Sequence, residues 1–130
     1  MNKSTHAGAG AVNIVSRMFD SVESGEMDSF KSCFAEGAMI WLNISGVDNT
    51  VDDTSAHLVE MLKGFKSFRY TERESFQSGS SIFVKYAVVI SPIEGKEIAI
   101  PTISHIRMSN EKITRVEEYF DSGALHSSDE

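Results

Sequence analysis

The chain has 130 residues, a formal net charge of −7 at pH 7 and 41% hydrophobic residues, which suits one globular domain and is too apolar for a disordered chain. The acidic balance, with no local cluster of Lys and Arg, argues against nucleic acid, whose phosphates demand a basic face. The single cysteine, Cys33, rules out an internal disulfide and suits a reducing, cytoplasmic setting; no apolar stretch is long enough to span a membrane or to make a signal peptide.

Residues 1–10 are small and polar and read as a disordered N-terminal tail. From Ala11 to Ser24, Val15, Met18, Phe19 and Val22 recur at spacings of three and four, the stripe of an amphipathic helix. Gly25 stands where a helix C′ residue would. Glu26 or Asp28 starts a short second helix that carries Phe30, Cys33 and Phe34 inward and ends at Gly37. Ala38 to Ile44 reads as a strand with Met39, Trp41 and Asn43 on one face, and Gly46 to Asn49 as a loop. Asp52, Asp53 and Thr54 offer N-cap chemistry for a third helix. Its stripe is His57, Leu58, Met61, Leu62 and Phe65, and Gly64 closes it.

The period then falls to two. Strands are predicted over 66–77, 80–91, 97–108 and 112–120, with turns at Ser78-Gly79, Pro92 to Gly95 and Ser109 to Glu111. Helices first and hairpin-linked strands after make an α+β domain over 11–125, three N-terminal helices lying on one face of a curved, mostly antiparallel sheet. Residues 126–130 read as a C-terminal tail.

Alternation sorts the strand residues. One set holds Val84, Tyr86, Val88 and Ile90, then Ile98, Ile100, Thr102, Ser104 and Ile106, then Val116, Glu118 and Phe120, with Phe68, Tyr70 and Glu72. It is the more apolar side and is predicted to face the helices. Arg69, Arg73, Lys85, Arg107, Arg115 and Glu117 fall on the other side, suited to solvent or to a subunit interface. Glu118 stands out between two apolar neighbours. A carboxylate there is costly unless paired, protonated or wetted by a cavity, and desolvation poises it for proton transfer near neutral pH. The alternative is a structural glutamate that faces solvent or is satisfied by Tyr86, Ser104 or a buried water.

His57 falls near the expected pocket mouth, as an acid or base or as a half-buried helix residue. His105 alternates outward, and His6 and His126 belong to the tails. No histidine has metal-ligand spacing, and no serine–histidine, cysteine–histidine or phosphate-cradling glycine pattern occurs, so no metal and no cofactor are expected.

Three segments, Phe19–Phe30, Phe34–Asn43 and Lys112–Asp121, in this order and spacing, resemble the nuclear-transport-factor-like superfamily. Within it the chain is similar to SnoaL-like polyketide cyclases, ketosteroid isomerases and limonene epoxide hydrolases, over about Val12 to Leu125. The resemblance implies a cone-shaped, cystatin-like α+β barrel with a pocket between the concave sheet and the helices. The general base of ketosteroid isomerases falls on Asn43, whose amide cannot abstract a proton. Their oxyanion-hole acid falls near Ser104 and their helix tyrosine near Met18.

For the epoxide hydrolases, Trp41-x-Asn43 resembles a Tyr-x-Asn pair and Glu118 replaces the last carboxylate, but Tyr86 and Val88 stand where Arg and Asp belong. In the SnoaL-like cyclases one pocket carboxylate is the acid or base, and Glu118 takes that position. The implied catalytic set is Glu118, Asn43 and Tyr86; the implied ligand wall is Trp41, Tyr70, Val84, Val88, Ser104, Val116, Phe120 and His57. The expected function is acid–base isomerisation, cyclisation or hydrolysis of a compact apolar molecule. The alternative is a non-catalytic ligand-binding or protein-interaction module. A homodimer through the sheet, whose outer face carries Val89 and Ile103, is expected, with neither nucleic acid nor membrane as partner.

Overall fold

The computed structural model describes residues 8–123. The expectations for residues 1–7 and 124–130, including His6 and His126, lie outside them. The first helix, α1 (Gly8–Ser24), begins at Gly8 where Ala11 is predicted. Its stripe of Ala11, Val15, Met18, Phe19 and Val22 is buried. Gly25 ends it with φ +75°: its N–H donates to the Val22 carbonyl at 3.1 Å and the Glu26 N–H to the Ser21 carbonyl at 2.9 Å, the two bonds of a Schellman turn.

The second helix, α2 (Met27–Ser32), is shorter than predicted. Phe30 and Cys33 are buried, with the Cys33 thiol 3.4 Å from the Ser29 carbonyl. Phe34 and Gly37 belong instead to the first strand, β1 (Phe34–Leu42), where Phe34 pairs with Ile113 and the register shifts before Met39. Gly37, at φ +81°, lies within that shift. A left-handed residue in a strand and one closing a helix both call for glycine, so the same letter serves either reading.

The predicted loop at 46–49 is largely a strand, β2 (Val47–Thr50), antiparallel to β1. Four mostly exposed residues, two of them Asp48 and Asn49, carry too little apolar pattern to announce a strand. Thr50, not the predicted Asp52, Asp53 or Thr54, caps α3 (Val51–Leu62): its hydroxyl accepts the Asp53 N–H at 3.0 Å. Asp52 and Asp53 occupy the first turn, where the helix dipole favours negative charge.

Four long strands follow, β3 (Phe65–Ser78), β4 (Ser81–Pro92), β5 (Ile98–Ser109) and β6 (Lys112–Phe120). The sheet order is β2-β1-β6-β5-β4-β3. Every neighbouring pair is antiparallel except β1 with β6, so the first strand of the chain lies parallel beside the last. Asn110 and Glu111 both take positive φ in the β5–β6 turn, the handedness that matches the twist of a hairpin. All three helices pack on this sheet.

Alternation in β4, β5 and β6 is as predicted: Val84, Tyr86, Val88, Ile100, Thr102, Ser104, Ile106 and Val116 are all buried. In β3 it breaks. Glu72 has φ +57° and the pairing slips between Thr71 and Glu74, a bulge that reverses the faces beyond it. Glu72 is therefore exposed and does not face the helices. Arg73, predicted on the outer side, turns toward α1, where it donates to Asp20 at 2.8 Å, lies 3.4 Å from Glu23 and sits over the Phe19 ring at 5.2 Å. Among the described residues no helix is long and apolar enough to cross a membrane.

Candidate functional site

A cavity of about 450 Å³ lies between the sheet and the helices. Met18, Phe19 and Val22 of α1, Leu58 and Met61 of α3, and Phe30 of α2 form one wall. Ile40 and Leu42 of β1, Phe68 and Tyr70 of β3, Val88 of β4, and Val116, Glu118 and Phe120 of β6 form the other. The exposed residues Ile44, Ser45, Asp53 and His57 mark its mouth. The helices reach it because their stripes repeat every three to four residues, and the strands because alternate side chains share a face.

Glu118 is the one carboxyl on the strand wall. It is half-buried, with part of its surface lining the cavity. The Tyr86 hydroxyl donates to Glu118 Oε2 at 2.8 Å and lies 2.6 Å from Ser104 Oγ. Register makes this trio possible: Ser104 pairs with Glu118 across β5 and β6 and with Val84 across β4 and β5, so Tyr86 reaches both diagonally. With the Tyr86 O–H given to Glu118, the Ser104 hydroxyl is the donor between the two, and the chain of hydrogen bonds runs from Ser104 through Tyr86 to Glu118.

Burial pushes the Glu118 carboxyl above its usual range, and the bonds from Tyr86 and Ser104 only partly oppose this. A group raised toward neutrality is suited to give and take a proton. Tyr70 and Tyr86 are held well above the ordinary phenol range, first by burial and then by the nearby Glu118. Both therefore stay protonated as hydrogen-bond donors.

The predicted wall is found in part. Tyr70, Val88, Val116, Glu118, Phe120 and His57 line the cavity. Tyr86 and Ser104 stand behind Glu118, and Val84 is buried in the core beneath. Two residues are elsewhere. Trp41 is on the opposite sheet face, its ring 5.2 Å from that of Tyr119. Asn43 lies in the turn after β1 with both ends of its amide bonded to one residue: Nδ2 donates to the Phe120 carbonyl at 3.1 Å and Oδ1 accepts the Phe120 N–H at 3.0 Å. It fastens β1 to β6 and does not line the cavity.

The physical reason is the phase of β1, whose inward residues are Ala38, Ile40 and Leu42. Both sides of that strand are apolar, so alternation alone left the choice open. Phe19, Met18 and Met61 went unassigned although their helical stripes were legible, because a stripe does not say what it meets.

A serine–histidine contact also exists, on the outer face. Ser81 Oγ lies 2.9 Å from His105 Nε2, and His105 Nδ1 lies 3.6 Å from Glu117 Oε1. Glu117 is already held by Arg115 at 2.7 Å, and Phe83 stacks on the imidazole at 4.3 Å. These are cross-strand surface contacts. Among the described residues no three of His, Cys, Asp and Glu are grouped to hold a metal ion.

Residues 15–116 match the family model of the SnoaL-like domain. No curated protein sequence is significantly similar to the chain. Among solved structures, a Shewanella denitrificans protein classed as a SnoaL-like polyketide cyclase superposes with a TM-score of 0.80 at 10% identity, covering 91% of this chain and 95% of that one. TerC, co-crystallised with polyporic acid, gives 0.81 at 14% identity over 92% and 98%. A protein of ketosteroid isomerase-like fold from Catenulispora acidiphila, in complex with trimethylamine, gives 0.78 at 16% identity over 89% and 92%.

Proposed function

The chain belongs to the SnoaL-like domain family, and from that premise we propose that it acts on a compact apolar small molecule by proton transfer through Glu118, as a cofactor-independent isomerase, cyclase or hydrolase. One observation carries this reading: a carboxyl raised by burial lines an apolar cavity of about 450 Å³ and accepts a bond from a protonated Tyr86. Substrate bound against it loses its water and meets a group that can exchange a proton without reorganisation. Polyporic acid in TerC and trimethylamine in the Catenulispora protein support a small-molecule role on this scaffold. Glu118→Gln keeps the shape and removes the titrating group; it is expected to lower turnover at least about 100-fold. A variant with undiminished rate would remove Glu118 from the chemistry.

A second reading is favoured by Asn43. With the Asn43 amide bonded to the backbone, Glu118 keeps Tyr86 but lacks the other of its two expected polar partners, which suits a pocket that binds without reacting. A ligand that raises the melting temperature and is recovered unchanged after long incubation would select this reading. The same proposal makes the protein a homodimer through the outer sheet face, where Phe83, Ile103 and Tyr119 are 37%, 47% and 46% exposed. Apolar side chains grouped on one face mark an interaction surface. Light scattering at micromolar concentration is expected to give twice the chain mass and, for Ile103→Lys, the monomer mass. A monomeric parent protein would refute it.

A further inference from the structure

Resting on the reading of the cavity as a site for a small molecule of apolar body, we infer that this molecule also carries one positive charge: a compact alkylammonium whose charge lies against Glu118 and whose hydrocarbon part lies on the aromatic wall. Elsewhere, the half-buried Glu117 shares Arg115 with the exposed Asp48, at 2.7 and 3.0 Å, and Glu23 at the end of α1 has Arg73 at 3.4 Å. Glu118 has only hydroxyls. Among the described residues no lysine or arginine lines the cavity, and Arg73 is committed to Asp20 and Glu23. A desolvated carboxylate without a cation is half of an ion pair. The ligand is the one component free to supply the other half.

The surrounding surfaces favour the same charge. Phe19, Phe68, Tyr70 and Phe120 line the cavity, and aromatic rings attract ammonium groups through their electron-rich faces. Asp53 at the mouth adds a second negative group on the way in, which concentrates cations and repels anions. An anionic ligand would face Glu118 with nothing to balance it. A neutral one would leave the carboxyl without a counter-charge. The other ionisable group at the mouth, His57, is exposed to solvent, which screens its field at Glu118.

Three probes of one shape separate charge from fit: benzyltrimethylammonium, its neutral isostere neopentylbenzene, and the anion phenylmethanesulfonate, each titrated into the full chain by calorimetry and ligand-observed NMR. The cation is expected to bind at least about tenfold more tightly than the neutral isostere, in line with a desolvated cation–π contact, and the sulfonate not to bind. Glu118→Gln is expected to lose that preference while still taking the neutral probe. Asp53→Asn, at the exposed mouth, loses a smaller part of it and serves should the Glu118 variant fold poorly. If the neutral isostere binds as tightly as the cation, or the sulfonate binds, the cation assignment fails and the cavity reading stands. An unchanged preference in a folded Glu118→Gln also refutes the assignment. If none of the three binds, both fall.

Discussion

Glu117 and Glu118 follow one another on β6, yet alternation sends the first to the outer face of the sheet and the second to the cavity. Outside, Arg115 donates to Glu117 at 2.7 Å and holds its carboxyl below the usual range. Inside, burial pushes Glu118 the other way, and two hydroxyls are all that resist. The residue type and the strand are the same; the difference lies in which face supplies a cation. The outer face neutralises its charges locally, whereas the inner face leaves one uncompensated and available.

The contrast can be broken at several points, the largest first. Phe19, 2% exposed, supports the cavity wall, and Phe19→Ala is expected to cost about 3–5 kcal/mol of stability. Phe76, 56% exposed near the end of β3, is expected to give up only about 0.5 kcal/mol on the same change. Urea unfolding compares the two, and equal losses would mean that the inner wall is not a packed one. Next comes the paired substitution of the two glutamates. Glu118→Gln is expected to lose at least about two orders of magnitude in turnover and Glu117→Gln to keep the parent rate, so similar rates for both variants would erase the distinction.

The same pair sharpens the contrast through pH. Native Glu118 holds its proton to higher pH than the unfolded chain does, so above about pH 4.3 the unfolded state ionises first and the native state is disfavoured. Glu118→Gln is thus expected to melt higher than the parent at neutral pH, with the gain vanishing as pH falls below that point. Glu117, depressed in the fold, has the opposite sign. Its contribution is present at neutral pH and is lost as pH falls through the folded value, so Glu117→Gln melts lower at neutral pH. Melting curves at pH 3 and pH 7 decide both. The smallest effect is expected from Arg115→Met: about 1 kcal/mol or less for a partly exposed pair, with the Glu117 carboxyl, followed by NMR titration, returning upward.

Where one face of a strand is apolar and the other charged, the sequence was sufficient. β6 has the predicted ends, Lys112 and Phe120, and the inward sets of β4 and β5 hold because Lys85 and Arg107 cannot share the core with Val84, Tyr86 and Ile106. Where both faces are apolar, as in β1, period two has no preferred phase; Trp41 turns to the outer face and Asn43 lies in the turn beyond the strand. The bulge at Glu72 and the shift around Gly37 escaped for a further reason, since one inserted residue changes the faces without changing composition. Glu118 was legible because a lone acid on an apolar face is conspicuous. Its isolation from cations was not legible, because that depends on where Arg73 and Arg115 go in three dimensions.

The Asn43 amide fastens two strands whose bonded residues are 77 positions apart, and β1 and β6 are parallel neighbours. Local hairpins such as β3–β4 and β5–β6 close short loops, whereas this junction must gather most of the chain first, and wide loops close late. On a ribosome the stripe of α1 would emerge long before the strand that carries Glu118. The cavity is accordingly complete only once β6 is in place, and a chain cut before Lys112 would lack both its acid and the strand that pairs with β1.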